Sequence, residues 1–218
     1  MTPRTGRGAG QPRGPYRKSR EVRQRILDAA LEVFAQCGYR SGSLREIATR
    51  VEMSEAGLLH HFPSKMALLE AVLEHRDERA NRIVDHEAED GMETLRGMLE
   101  LARLNATEPG VVELYCVLAA EATSPDHPAH DFFVARYARL RAQIRRALER
   151  ARATGKLREG VDPAHAAARM IALWDGVQVQ WLLDRDSLDM ADELLDYLRH
   201  ILDVPVGVLT RSIGPPSR

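Results

Sequence analysis

The chain has 218 residues, 44% of them hydrophobic and 29% charged, and its formal net charge at pH 7 is −1. These values are typical of a globular protein with one or two domains. No apolar run reaches the length of a membrane span, and the basic N-terminus lacks the apolar stretch of a signal peptide. We therefore expect a cytoplasmic protein with no membrane partner. Cys37 and Cys116 lack metal-site spacing and fall on apolar helical stripes, so we expect small core residues and no metal or other cofactor.

Charge is divided unevenly along the chain. Residues 1–70 contain 12 Lys or Arg and 7 Asp or Glu, a net charge of +5, whereas residues 71–218 contain 19 and 25, a net charge of −6. Nucleic-acid binding requires such a positive region, because neutralised phosphates supply most of the non-specific affinity. The N-terminal third is therefore the part of the chain that suits a nucleic acid.

The first elements are a basic arm and a helix. Residues 1–18 are rich in Gly, Pro and Arg and include one aromatic residue, so they are predicted to be a disordered basic arm. Its arginines either reach DNA or serve only solubility, and both interpretations stay open. Ser19 can cap a first helix that runs to about Cys37, and Gly38 is expected to end it. The apolar stripe of this helix is Val22, Ile26, Ala30, Val33, Phe34 and Cys37.

Two short helices with a tight connection are predicted next. Ser43 and Glu46 form an S-x-x-E capping box, so a helix begins at Leu44. Ser54 is the N-cap of the second short helix. Apolar residues at helical spacing are expected to be buried, namely Leu44, Ile47, Ala48 and Val51 in the first helix and Leu58 and Phe62 in the second.

The second short helix presents a face to a partner, since the side opposite its core residues carries Glu55, Ala56, Leu59 and His60. Pro63 stops this helix and Ser64 caps the next one. Lys65 lies in the first turn of that next helix, where positive charge and free N–H groups suit a phosphate. Together these elements predict a helix-turn-helix.

A series of residues in a fixed order connects this stretch to a known family: Ile26, Leu27, Asp28, Ala29, Ala30, Phe34, Gly38, Tyr39, Ser43, Leu44, Arg45, Glu46, Ile47, Ala48, Met53, Ser54, Leu58, His61, Phe62, Pro63, Ser64, Lys65, Leu68 and Leu69. In these residues the stretch 22–73 resembles the DNA-binding domain of the TetR family of bacterial transcriptional regulators. A chance capping box in another helical bundle explains each element alone but not their joint order.

The resemblance implies an all-α fold and a division of the chain. A three-helix helix-turn-helix domain, residues 19–66, is followed by a helical ligand-binding and dimerisation domain, residues 67–203. The resemblance also implies DNA contacts by Ser43, Arg45, Ser54, Glu55, Ala56, Leu59, His60, His61 and Lys65.

Two positions depart from the family pattern. Glu52 stands in the turn where the family usually has Gly, and a left-handed conformation there would cost roughly 1 to 2 kcal/mol. Leu59 stands where the family usually has Tyr, so it can touch a thymine methyl but cannot donate to a phosphate. Phosphate anchoring is then expected from His60, His61 and Lys65.

The remaining chain predicts further helices. They run from Lys65 to about His86, from about Glu93 to Asn105, from Pro109, from about Asp131 to Ala153, from Pro163 to about Leu183, and from Asp189, with residues 204–218 as an irregular tail. Asp162 is the predicted N-cap of the helix that begins at Pro163. The helix over 131–153 carries a basic face, which we interpret as solvated and not as a second nucleic-acid surface. That face consists of Arg136, Arg139, Arg141, Arg145, Arg146, Arg150 and Arg152.

An effector pocket and a dimer interface are expected in this part. A mainly apolar set with a few polar groups suits a ligand. The candidate lining residues are Leu101, Leu104, Tyr115, Phe133, Tyr137, Trp174, Gln178 and Trp181. In the family the last two helices of each subunit form a four-helix dimer interface, which implies contacts by Leu194, Leu195, Leu198 and Ile201.

The expected function is that of a homodimeric, ligand-responsive transcription factor. By family resemblance it is a repressor, released from a palindromic double-stranded DNA operator by a small, mainly apolar effector. The sequence contains neither a Gly-rich phosphate loop nor a spaced metal-ligand cluster, so we do not expect an enzyme. The alternatives are a helical enzyme acting on a small molecule, which a catalytic dyad in the pocket would favour, and an interaction protein without operator preference.

Overall fold

The computed structural model describes residues 15–89 and 91–210, and this part of the chain is built from α-helices. They are α1 (Pro15–Ser41), α2 (Leu44–Arg50), α3 (Glu55–His61), α4 (Lys65–Asn81), α5 (Met92–Thr107), α6 (Pro109–Glu121), α7 (His130–Ala153), α8 (Pro163–Leu183), α9 (Met190–Ile201) and α10 (Val206–Thr210). The expected all-α class is confirmed. Within the described residues, no helix combines the length and apolar character needed to cross a bilayer.

Helix α1 starts earlier than its sequence predicts. It begins at Pro15 and not after Ser19, because a proline with fixed φ and no N–H suits the first position of a helix. The expected disordered arm is therefore wrong for residues 15–18, and its remainder, residues 1–14, lies outside the described residues. Gly38 interrupts the helix with φ 74° and ψ 164°, as expected. Cys37 is exposed at this interruption, which corrects the expectation of a core residue.

Helices α1 to α3 bury the predicted apolar stripes in one core, which includes Ile26, Val33, Phe34, Ile47, Ala48, Leu58 and Phe62. This core continues into α6 and α7 through Leu114, Tyr115, Leu118 and Phe133. Helices α1 and α6 approach closely, since a Cβ on Gly110 would lie 2.7 Å from the carbonyl oxygen of Ala35. The helix-turn-helix is thus packed directly against the C-terminal helices.

Helix α4 ends at Asn81, about one turn before the predicted end near His86. The chain leaves the helix because the following loop packs inward. Val84 is buried, and a Cβ on Gly97 of α5 would come within 2.8 Å of the Val84 Cα. Arg150 of α7 donates to two carbonyl oxygens of this loop, at 2.9 and 3.1 Å.

Helices α8 and α9 pack against each other and begin at the predicted caps. The Asp162 carboxylate accepts from the His165 N–H at 2.8 Å, and Asp189 caps α9 in the same way. The predicted interface residues of α9 lie elsewhere than expected: Leu194, Leu198 and Ile201 are buried in the core of their own subunit, and Leu195 is half-buried. A single chain already covers most of these three side chains, so they leave little surface for a second subunit.

The C-terminal segment was expected to be irregular from residue 204. Residues 206–210 instead form α10, whose Leu209 is buried in a second core. This second core is formed mainly by α5, α8 and α9 and includes Leu95, Leu99, Met170, Leu194 and Leu198. Arg96 of α5 donates to the carbonyl oxygen of Val208 at 3.0 Å and ties α10 in place. The irregular tail is therefore wrong for α10, and residues 211–218 lie outside the described part of the chain.

Candidate nucleic-acid interface and internal cavity

Three serine caps set the helix-turn-helix. Ser43, Ser54 and Ser64 each accept a hydrogen bond from the backbone N–H three residues later, at 3.0 to 3.1 Å. Satisfying one free N–H in this way begins each helix at a defined residue. Glu52, in the turn between α2 and α3, has φ 57° and is left-handed. The turn therefore keeps the geometry that glycine favours although its residue is glutamate.

The outer face of α3 is open to solvent. Glu55, Ala56 and His60 are exposed, Leu59 retains 37% of its accessible surface, and His61 is half-buried. Arg23 of α1 fixes the end of this helix, since it donates to the His61 carbonyl oxygen at 3.3 Å and covers the Phe62 ring. The structure thus groups the predicted contact residues of α3 on one accessible surface.

The two arginines of α2 have different environments. Arg50 binds Glu46 at 3.0 Å, Glu32 at 3.4 Å and Gln36 at 2.6 Å, so its guanidinium stabilises the packing of α1 on α2. Arg45 is exposed, and none of the described residues forms an ion pair with it. Its guanidinium is therefore available to a partner outside the chain.

Lys65 is held by the protein itself. Its Nζ donates to the carbonyl oxygen of Arg40 at 3.0 Å and lies 4.8 Å from the centre of the Tyr39 ring. Partial burial lowers the pKa of this ammonium. An ammonium has three donors, so a phosphate contact by Lys65 stays a prediction alongside the contact with Arg40.

An internal cavity of about 150 Å³ lies between α4, α5, α6, α7 and α8. A cavity of about this size accommodates benzene in a protein of known structure. Six of the predicted residues line it: Leu101, Tyr115, Phe133, Tyr137, Trp174 and Gln178. Leu104 and Trp181 do not, because Leu104 faces outward and Trp181 is buried in the second core, where Arg185 covers its ring.

Charged residues form one wall of the cavity. Asp77 of α4 accepts from Arg136 at 3.1 Å and from Arg139 at 2.8 Å, both on α7. Arg76 of α4 is buried and donates to the side-chain oxygen of Asn105 on α5. The expectation of a solvated basic face is therefore wrong for Arg136, which is largely covered, whereas Arg139 binds Asp77 and is exposed as expected. The cationic face of α7 instead begins inside the protein.

Arg150, on the same predicted face, also has a structural role through its loop contacts and its 3.0 Å ion pair with Glu87. The other arginines of that face are exposed, as expected, and are Arg141, Arg145, Arg146 and Arg152. The amphipathic pattern located this face correctly, but it could not separate inward-turning from solvated guanidinium groups.

The part of the cavity wall that α8 forms carries an acidic group. Asp175 of α8 accepts from the Tyr137 hydroxyl at 2.8 Å. Burial raises the pKa of Asp175, and the hydrogen bond from Tyr137 opposes this increase. Burial and the nearby Asp175 raise the pKa of the Cys116 thiol to about 11, so the thiol stays protonated at neutral pH. This thiol lies 4.0 Å from the Gln178 side-chain oxygen.

Two buried atoms on the cavity wall have no hydrogen-bond partner among the described residues, His86 Nδ1 and Gln143 Oε1. Burial, followed by the charge of Arg146, lowers the pKa of His86. The neutral ring places its proton on Nε2, 3.1 Å from the Asn81 side-chain oxygen, so Nδ1 is an acceptor. Both open positions would accept from a donor in the cavity.

Several polar residues of the cavity wall were not predicted, and for two of them, Arg76 and Asp77, the sequence contains a signal that could have found them. Arg76 and Asp77 stand one helical turn after the buried Val72 and Leu73, so the apolar stripe of α4 passes into charged residues. Charged residues at buried stripe positions are paired or functional. No comparable local signal marks Asn105, whose partner lies 29 residues away.

Comparison with known proteins identifies the family. Residues 26–72 match the model of bacterial regulatory proteins of the tetR family, and residues 91–204 match that of the C-terminal part of BetI-type transcriptional repressors. The chain belongs to the TetR family. Regulators of this family bind DNA operators, dimerise and bind small molecules.

Individual relatives extend the similarity to different lengths. The transcriptional regulator UidR of Escherichia coli K12 is 40% identical over 63 residues, which are 29% of this TetR-family chain and 32% of that protein. The chain thus spans about a third of the length of this relative. The nucleoid occlusion factor SlmA of Marinobacter nauticus is 31% identical over 156 residues, with 67% of this chain and 74% of that protein covered.

A solved structure matches nearly the whole fold. The transcriptional regulator of Saccharomonospora viridis, crystallised in complex with choline, is 26% identical and superposes with a TM-score of 0.71. The superposition covers 85% of this chain and 100% of that one. The TetR-family architecture therefore extends through the C-terminal helices.

Proposed function

We propose that this protein is a ligand-responsive transcriptional repressor that binds a palindromic double-stranded DNA operator as a homodimer. The observation that carries the proposal is the position of α4, which contributes Leu68 and Leu69 to the helix-turn-helix core and Arg76 and Asp77 to the cavity wall. A molecule in the cavity therefore touches the helix that supports the DNA-binding face.

The DNA contacts are proposed on the residues grouped around α3. The exposed Arg45 can read a base edge, because bidentate contact of arginine with guanine is a common specific interaction in the major groove. Leu59 offers an apolar contact to a thymine methyl group. His60, His61 and Lys65 are proposed to contact phosphates. Backbone N–H groups at the starts of the two helices that Ser43 and Ser54 cap are proposed to do the same.

The dimer contact is proposed on the outer face of α8. Exposed and half-buried small or apolar residues repeat there at helical spacing, namely Ala168, Ala172, Gly176, Val179 and Leu183. Leu183 retains 82% of its accessible surface, the largest value among the exposed large hydrophobic residues of the described chain. A second copy that packs on this stripe would cover it and pair two α3 helices about 34 to 36 Å apart, or a multiple of that distance.

The effector is proposed to occupy the internal cavity. Its lining is apolar over most of the surface and carries a small number of polar groups, as ligand sites do. The related regulator from Saccharomonospora viridis was crystallised with choline, which supports a small-molecule effector for this chain as well.

Selection of bound sequences from a random double-stranded DNA pool, followed by titration at fixed salt, tests the function. We expect an enriched palindrome and much weaker binding to shuffled DNA. An Ala172→Glu and Leu183→Glu double variant should keep its helicity, become monomeric by light scattering and lose operator affinity. Absence of any enriched sequence would favour the interaction protein without operator preference.

A further inference from the structure

Arg76 is the least compensated charge of the cavity wall. Its side chain is 8% exposed, and among the described residues it has an amide partner, Asn105, but no carboxylate within ion-pair distance. Its guanidinium lies 5.3 Å from the centre of the Tyr115 ring. The guanidinium of Arg136 lies 5.0 Å from the centre of the same ring. A buried arginine stays charged, and a buried charge without a counter-charge is costly.

The charges around Arg76 increase this imbalance. The carboxylate of Asp77 already binds two arginines, Arg136 and Arg139. Arg76 and Arg136 therefore share one buried carboxylate, which leaves one positive charge in excess. Glu108 is half-exposed and occupied by Arg79 at 3.3 Å. Burial lowers the pKa of Arg76 and Arg136 lowers it further, whereas Tyr115, Asp77 and Glu108 raise it, so the two carboxylates act on Arg76 from beyond ion-pair distance.

Asp175 does not supply that counter-ion. It lies on α8, its carboxylate accepts from Tyr137, and the cavity arginine whose charge lowers its pKa is Arg136. The ring centre of Phe133 lies 6.1 Å from that of Tyr115 and 6.3 Å from that of Tyr137, so Phe133 packs against both the ring beside Arg76 and the ring that binds Asp175. Asp175 is also half-exposed, so its charge is partly solvated where that of Arg76 is not.

We propose that the effector is a small apolar molecule with a carboxylate group, which binds Arg76 and leaves the apolar body among the aliphatic and aromatic residues of the cavity. The proposal rests on the function proposed above, because the bound molecule is an effector only if the protein is a ligand-responsive repressor. A carboxylate matches the planar guanidinium and supplies the missing negative charge. Since Arg76 belongs to α4, the charged group of the ligand acts directly on the helix that supports the helix-turn-helix.

Three probes of similar shape separate the charge of the ligand from its apolar body. Benzoate, benzyl alcohol and benzylamine share a benzene ring, which a cavity of this volume admits. Binding of each to the full-length protein, without DNA, is measured by isothermal titration calorimetry. We expect benzoate to bind tightest. Arg76→Gln should weaken benzoate roughly ten- to a hundredfold, the value of a hydrogen bond to a charged group, and should change benzyl alcohol little.

The matched control is Asp175→Asn on α8, which should bind benzoate at least as tightly as the wild type. Circular dichroism establishes that both variants keep their helices, and the three-probe series on the wild type decides the matter even if Arg76→Gln does not fold. Equal binding of all three probes, no binding of any, or a preference for benzylamine that requires Asp175 would overturn the proposal.

Operator titration of the ligand-free protein keeps this test separate from that of the proposed function. Loss of operator preference with benzoate binding intact would refute the repressor and retain the carboxylate site. Intact operator binding without a preference for benzoate over benzyl alcohol would refute the carboxylate site alone.

Discussion

Replacing Glu52 by Gly should stabilise the protein. Glu52 has φ 57°, its side chain is exposed, and its backbone N–H donates to the Thr49 carbonyl oxygen at 3.2 Å. A residue with a Cβ in this region costs roughly 1 to 2 kcal/mol, which glycine avoids. Glycine also gives the unfolded chain more freedom, which costs about 0.4 to 1 kcal/mol. The expected net gain is about 1 kcal/mol.

Thermal unfolding of the full-length protein at a fixed concentration measures this gain. For a chain of this size, 1 kcal/mol corresponds to a rise in Tm of about 2 to 4 °C. Glu52→Ala is the control, since it removes the carboxylate but keeps the Cβ, and it should not raise Tm. An equal rise for Glu52→Ala would assign the effect to charge, and an unchanged or lower Tm for Glu52→Gly would refute the strain argument.

Further substitutions address the DNA-binding face and the cavity. Arg45→Ala should relax sequence preference and cost about 1 to 3 kcal/mol on operator DNA; equal losses on operator and random DNA in a titration would contradict this. Lys65→Ala should weaken all sequences alike and lower the slope of log affinity against log salt by roughly one, whereas an unchanged slope would remove Lys65 from the phosphate contacts. Asp77→Asn leaves Arg136 without its carboxylate and should lower the free energy of unfolding, measured by urea titration, by about 3 kcal/mol. A loss below about 1 kcal/mol would show that solvent compensates the charge of Arg136.

The sequence by itself determined the helices and where most of them begin. An N-cap side chain accepts from a backbone N–H two or three residues later, so capping depends only on neighbours along the chain. The caps at Ser43, Ser54, Asp162 and Asp189 could therefore be predicted from residue type and spacing alone. Helical periodicity likewise identified the buried stripes of the first three helices. The early start at Pro15 was also a local signal, one that the Ser19 cap obscured.

Tertiary structure alone decided which partners the polar and apolar faces acquire. The ion pairs of Asp77 join residues 59 and 62 positions apart, and no spacing rule relates them. The sequence also left open what covers the apolar face of α9, which carries Leu194, Leu198 and Ile201. Periodicity shows that this face is covered, but not whether its own subunit or a second copy covers it. Leu198 is fully buried by its own chain while Leu183 of α8 is exposed. The physical reason is that caps and stripes depend on neighbours along the helix, whereas charge compensation and interface choice depend on contacts that only the packed chain creates.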